Sequence, residues 1–337
     1  KLLPHQKAAC RIAEMFDKFA FFYDTGTGKT VLALDIITSK TKQDDTSFLI
    51  ICPKPIILTA WMDDQYNFYP EMKLDPLSHN ITLRQYLDIN RRWNDMDGRS
   101  VFNDYLYYED WQNGSKANQL KYVRSIMIGK AKHYIVNPES FTRNLVFYKS
   151  LGVNGLIVDE SSILKNYSSK ISKCVRDFAD TCKYVYLLSG KPAPNNTMEY
   201  FSQMKVVAPN DFPMSYEAYK KKYYVNINNR IVCKSEEAEK EVSDLIGKHS
   251  IVVSKSDCLK LPDTVHMVRK ITLDKDVMTK YESMYRDYFI NIEQQEKASK
   301  NSKTIYNVNN KLASLMKLRQ LVSGFLLDAD GNVTQIH

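Results

Sequence analysis

The feature that most constrains this chain is a recurrence of short, almost unbroken apolar runs separated by stretches of helix length. Phe19-Ala20-Phe21-Phe22-Tyr23, Phe48-Leu49-Ile50-Ile51-Cys52, Tyr134-Ile135-Val136, Gly155-Leu156-Ile157-Val158 and Tyr184-Val185-Tyr186-Leu187-Leu188 all have strand length and no polar alternate position. A strand with one wet face alternates, whereas one that is apolar throughout has both faces covered. Helical spacing over 31–37 and 57–68 supplies the covering elements. The expected class is α/β, a parallel sheet with helices on both faces.

The rhythm breaks twice. Residues 72–132, rich in Asn, Asp and Tyr, read as an insertion, expected to be helical and to offer a surface to other proteins. From Pro209 the chain becomes a mixed extension. It holds a Lys- and Tyr-rich run over 216–224, a charged helix over 236–246, and an alternating strand over 266–273. A helix N-capped by Asp274, a polar link over 294–303 and an amphipathic helix over 312–321 follow. The expected division is 1–208, 209–304 completing the same lobe, and 305–337 opening a second one.

Composition narrows the partners. Lys and Arg exceed Asp and Glu by 47 to 39, a net charge of +8 that favours an anionic partner. No run of about 18 apolar residues suggests a membrane span, and the first residues do not read as a signal peptide. The six cysteines have neither CxxC spacing nor a histidine cluster, so a reduced chain without a zinc site is expected. The absence of an initial Met suggests a start inside a longer reading frame or after a removed tag.

Asp24-Thr25-Gly26-Thr27-Gly28-Lys29-Thr30 lies between the first apolar run and the first helix. Thr25, Gly26, Thr27 and Gly28 would let backbone N–H groups face phosphates, with the helix start behind them. Lys29 would reach the β- and γ-phosphates, and the Thr30 hydroxyl would ligate Mg²⁺. Tyr23 stands where the strict GxxxxGK[ST] pattern has glycine. A glycine turn with a chance Gly-Lys-Thr is the bland alternative. Asp159 and Glu160 end another buried run, on the edge the loop would share. There Asp159 would hold Mg²⁺ through water, and Glu160 would accept the proton of an attacking water. An N-capping acid is the bland alternative for this pair.

Taken in order, the motifs resemble those of the first RecA-like lobe of Swi/Snf-type ATPases of helicase superfamily two, in a compact phage or bacterial form. Leu3-Pro4-His5-Gln6 resembles the family's start, which implies that Gln6 reads adenine. Asp24–Thr30 resembles motif I. Ile51-Cys52-Pro53 with Leu58 and Trp61 resembles motif Ia, and Asp159-Glu160-Ser161-Ser162 with Lys165-Asn166 resembles motif II. Leu187-Leu188-Ser189-Gly190-Lys191-Pro192 with Asn195 resembles motif III, with Lys191 where Thr is more usual. Lys255, Leu261-Pro262 and Lys317-Leu318-Arg319-Gln320 resemble segments at the lobe junction.

The resemblance implies ATP and Mg²⁺ as cofactors and double-stranded DNA as the track. It makes the chain an ATP hydrolase of helicase or translocase type. Ser189 and Gly190 would couple the γ-phosphate to DNA, with DNA contacts near Lys54, Ser140, Arg143 and Lys165. It further implies a second lobe carrying arginine fingers, so that these 337 residues would bind ATP and turn it over poorly. The implied setting is the cytoplasm of a bacterium or phage-infected cell, with a nuclear one left open. The rivals are an RNA helicase, a small-substrate phosphotransferase and a non-catalytic ATP- and DNA-binding module.

Lys220, Lys221 and Lys222 among tyrosines would suit either DNA contact or a solvated helix over a tyrosine core. His133, His249 and His266 stand isolated, with no catalytic role expected.

Overall fold

The computed structural model describes residues 2–77, 131–227, 230–258, 267, 270, 272–283, 285–286, 308–327 and 333–335. Two compact units emerge, Lys1–Leu261 and Pro262–His337.

The first unit opens with α1 (Pro4–Met15), β1 (Lys18–Tyr23), α2 (Lys29–Asp44) and β2 (Phe48–Ile51). Then come a π-helical turn over Ile57–Met62, α3 (Asp63–Phe68) and β3 (Leu74–Pro76). After the undescribed residues follow β4 (His133–Val136), α4 (Pro138–Arg143), α5 (Leu145–Ser150) and β5 (Gly155–Asp159). A 3₁₀ turn over Ser161–Leu164, α6 (Lys170–Ala179), β6 (Tyr184–Leu188) and α7 (Tyr200–Val207) complete the central part. The extension supplies α8 (Tyr216–Tyr223), the hairpin β7 (Tyr224–Ile227) and β8 (Arg230–Cys233), α9 (Glu236–Gly247), β9 (Ser250–Val253) and α10 (Lys255–Cys258).

Seven strands form one sheet in the order β3-β4-β2-β5-β6-β1-β9. Every pairing in it is parallel. The two-residue strand period then sorts the side chains. Ala20, Phe22, Leu49, Ile51, Leu156, Val158, Val185 and Leu187 pack on one face with Val175, Phe178, Met204 and Tyr219. Phe19, Phe21, Tyr23, Ile50, Ile157, Tyr186 and Leu188 pack on the other with Ala9, Ala13, Leu32, Ile36 and Trp61. Burial on both faces is why the strands carry no polar alternation.

Several elements differ from the sequence expectation. The helix expected over 57–68 begins as a π turn, whose extra residue per turn leaves no trace in apolar spacing. Leu74–Pro76, at the start of the segment read as an insertion, pairs with β4 at the sheet edge. Residues 78–130 of that segment lie outside the described residues. So do the link over 294–303, His266 and half of the strand expected over 266–273, whose described residues Met267, Lys270, Thr272 and Leu273 are in no strand.

The Lys- and Tyr-rich run is a helix capped by Ser215, whose hydroxyl accepts from Ala218 N–H at 3.2 Å. Tyr219 and Tyr223 are buried, with the Tyr219 ring 4.7 Å from that of Phe201. Those two rings belong to the core and are closed to stacking on bases. The helix α9 is capped likewise by Ser235, has Glu236, Glu237 and Glu239 in its first turn, and turns Val242 and Ile246 inward.

In the second unit, helical residues 275–283 begin with Met278 N–H bonded to Asp274 C=O. Further on, α11 (Val308–Val322) precedes the antiparallel pair β10 (Phe325–Leu327) and β11 (Val333–Gln335).

His133 makes the fold sensitive to pH. It is buried, and its Nδ1 accepts the Phe48 N–H at 3.3 Å. Burial and the neighbouring Lys132 charge push its pKa down to about 3. The unfolded chain protonates this ring near pH ~6.5. Between those values the unfolded state alone holds the proton, so stability falls as pH falls through the window. At pH 5 the loss from this residue is about 2 kcal/mol. His133→Asn keeps an acceptor that does not titrate. Urea denaturation at pH 7 and pH 5 is expected to show a smaller pH-dependent loss for the variant than for the native chain.

Candidate active site

The sheet brings the sequence motifs to one edge. Because β5 and β6 are neighbours and β6 pairs with β1, the turns after these three strands lie side by side. Asp24–Gly28 leads from β1 into α2, Asp159 and Glu160 end β5, and Ser189-Gly190 follows β6.

The loop is held from within and behind. The Thr27 hydroxyl and N–H donate to Asp24 C=O at 2.7 and 3.4 Å. Gly28 has φ +80° and ψ +40°, a left-handed conformation that starts α2 without a side-chain cap. Buried Gln6 lies against it, donating from Nε2 to Gly28 C=O at 3.0 Å and accepting Leu3 N–H on Oε1 at 2.8 Å. His5 Nε2–H donates to Thr27 C=O at 2.9 Å, and Tyr23 OH donates to His5 C=O at 3.3 Å. The tyrosine standing in place of the motif's first glycine thus ties α1 to the loop.

Lys29 Nζ donates to the carbonyls of Tyr23 and Asp24 at 3.1 and 3.4 Å, and stands 3.9 Å from Glu160 Oε1. The other Glu160 oxygen receives Ser189 Oγ–H at 3.5 Å. Lys29, Glu160 and Ser189 therefore meet at this edge of the sheet. Glu160 itself is left-handed, with φ 54° and ψ 56°, a conformation that strains a residue bearing a Cβ.

Asp159 is buried, and burial raises its pKa while the Trp61 indole N–H, bonded to Oδ2 at 2.9 Å, holds it down. Its other oxygen accepts Glu160 N–H at 3.0 Å. The π turn thus supplies a donor that fixes this carboxylate. The position of Trp61 in motif Ia gave no hint of that bond.

Two further connections were not legible in the sequence. Buried Gln203 accepts Ser161 Oγ–H at 2.7 Å and donates to Pro192 C=O at 2.7 Å, joining the turns after β5 and β6. Gly190 also packs on the loop, since a methyl group there would lie 3.3 Å from Thr25 N.

The residues suit a magnesium nucleotide. Two left-handed glycines, a lysine at a helix start and Thr30 beside it form a cradle for phosphates. Mg²⁺ takes one or two carboxylates and completes its shell with phosphate oxygens and water, and buried Asp159 offers one such carboxylate at this edge.

A groove opens beyond the ends of β2 and β4, lined by Lys54, Asn137, Glu139, Ser140, Arg143 and Ile163. Lys165 is exposed after the 3₁₀ turn. Ser140 is buried and its hydroxyl is bonded to that of Tyr148 at 2.9 Å, so its side chain braces α4 and does not reach out as a phosphate donor. Glu139 adds a negative charge, kept ionised by the Asn137 amide at 2.5 Å.

This arrangement defines a RecA-like α/β lobe with a nucleotide-type loop. The SNF2-related domain family matches residues 19–323, and the chain belongs to that family, the Swi/Snf-type ATPases of helicase superfamily two. It is 23% identical over 278 residues to a Caenorhabditis elegans chromodomain-helicase-DNA-binding protein 3 homolog, covering 80% of this chain and 13% of that protein. It is 24% identical over 300 residues to the Arabidopsis thaliana CHD3-type chromatin-remodeling factor CHR7, covering 89% of this chain and 20% of that protein. The chain thus spans a small part of these relatives. Among solved structures, the Sulfolobus solfataricus SWI2/SNF2 ATPase core in complex with dsDNA shares the fold with a TM-score of 0.54 and 18% identity. That match covers 96% of this chain and 58% of that one. No helix among the described residues is long and apolar enough to cross a membrane.

Proposed function

We propose that this chain is an ATP-hydrolysing lobe of a motor that tracks duplex DNA. The observation that carries the reading is the convergence of Lys29 and Ser189 on the two oxygens of Glu160. Lys29 and the N–H groups of Thr25–Thr30 bind the phosphates, and Gln6 is proposed to read the base. Thr30 and Asp159 would hold Mg²⁺, which when bound would neutralise charge on the phosphate oxygens. Glu160 takes a proton from water as that water bonds to the γ-phosphorus and the bridging oxygen leaves with ADP. The contacts of Ser189 with Glu160 and of Gly190 with the loop would report phosphate loss. The family relation and the dsDNA bound by the Sulfolobus core support DNA as the track.

The test concerns both ligands. Lys29→Ala is expected to abolish binding of mant-ATP, a fluorescent ATP analogue. Lys54→Glu combined with Arg143→Glu removes two contacts to phosphates in the groove. Fluorescence anisotropy with duplex DNA is expected to show weaker binding, and the slope of log affinity against log salt is expected to shrink by about 2. Preference for duplex RNA, or an unchanged slope, would reject DNA tracking through this groove.

A further inference from the structure

The phosphate loop is fastened to the sheet's last strand as well as to its neighbours. Asp24 N–H donates to Val253 C=O at 3.1 Å, and the Asp24 carboxylate accepts the Lys255 N–H at 3.0 Å. Asp24 is therefore occupied as a latch between the loop and the end of β9. The latch fixes where the Lys255 side chain starts, and that side chain runs back across Gly26. A methyl group on Gly26 would lie 3.5 Å from Lys255 Cε and 3.7 Å from Nζ. Glycine at this position leaves the loop backbone open to the ammonium.

Lys255 differs from Lys29 in how it is satisfied. The Lys29 ammonium has two carbonyls and the Glu160 carboxylate around it. Lys255, a half-buried residue, makes no ion pair with any described carboxylate. A cation at the rim of the loop with no carboxylate partner is available to an anion that a ligand supplies. Beside a loop whose exposed Thr25 and Gly26 belong to a phosphate cradle, the complementary ligand is an anion of the phosphate type.

We propose that Lys255 is a second cationic ligand of the nucleotide's phosphate chain, positioned by the Asp24 latch, an assignment that rests on the nucleotide reading of the loop. The extension after β6 thereby contributes directly to nucleotide binding.

Titration of the full 337-residue chain with mant-ATP and Mg²⁺ tests this. Lys255→Met keeps the stem and removes the charge. It is expected to weaken mant-ATP about 10-fold, with Tm within about 2 °C of the native chain. Lys255→Arg is expected to restore affinity to within about threefold. Unchanged affinity in Lys255→Met, alongside loss of binding in Lys29→Ala, overturns the inference and leaves the loop's role standing. Weakened binding that Lys255→Arg fails to restore, with Tm lowered by several degrees, also overturns it, because the side chain then acts through packing. Full affinity in Lys29→Ala overturns the nucleotide site itself.

Discussion

Glu160→Gln is expected to lower single-turnover ATP hydrolysis by about 10²–10⁴-fold, the range for losing a positioned general base, while mant-ATP affinity stays within about threefold. Gln preserves the size of the side chain and an oxygen for the Ser189 hydroxyl, but it cannot take a proton. The backbone adds a second readout. Glu160 is one of two non-glycine residues among those described with positive φ, and a left-handed residue with a Cβ costs about 1–2 kcal/mol. Glu160→Gly should therefore be as inactive as Glu160→Gln yet hold or gain about 1 kcal/mol of stability in urea. Strain retained where catalysis needs the side chain has this signature. Glu160→Gln with more than a tenth of native turnover would assign the base elsewhere.

Gly28→Ala carries the second large effect. The added Cβ would sit 2.3 Å from Gln6 Nε2, at a backbone φ of +80°. Gln6 must then leave both Gly28 C=O and Leu3 N–H, and the loop must bear about 1–2 kcal/mol of left-handed strain. Losing two partly buried hydrogen bonds adds about 1 kcal/mol each. The expected result is a lowered urea midpoint together with at least a 10-fold loss of mant-ATP affinity. Adding Gln6→Ala to Gly28→Ala removes the clash but not the strain, so it should recover part of the stability and little of the binding. Equal stability in the native chain and Gly28→Ala would show that the Gln6 contact is dispensable.

The strands were readable because burial on both faces leaves nothing polar along them, as Phe48–Ile51 and Tyr184–Leu188 show. The loop and the acidic pair were readable because phosphate chemistry demands particular residue types in a short span. What the sequence concealed were relations between distant positions. Nothing local marks Trp61 as the donor to Asp159, Gln203 as the link from Ser161 to Pro192, or Tyr23 as an anchor for α1. The same limit explains Ser140, which reads as a polar loop residue until α5 brings the Tyr148 hydroxyl to it. It also explains Tyr219, packed on the Phe201 and Phe212 rings from elsewhere in the chain, and Tyr223, packed on Tyr219.

The place of β1 between β6 and β9 has a consequence for biosynthesis. The phosphate loop leaves the ribosome well before its partners, since the Asp24 carboxylate bonds to a residue 231 positions later. The strands flanking β1 end at Leu188 and Val253. Pairings this remote in sequence close late and slowly. An emerging chain therefore exposes Phe19–Tyr23 without its two neighbours until those strands follow, an apolar segment open to mispairing or chaperone capture. Arrest of translation before residue 253 should leave this segment accessible to protease, and release past residue 258 should protect it.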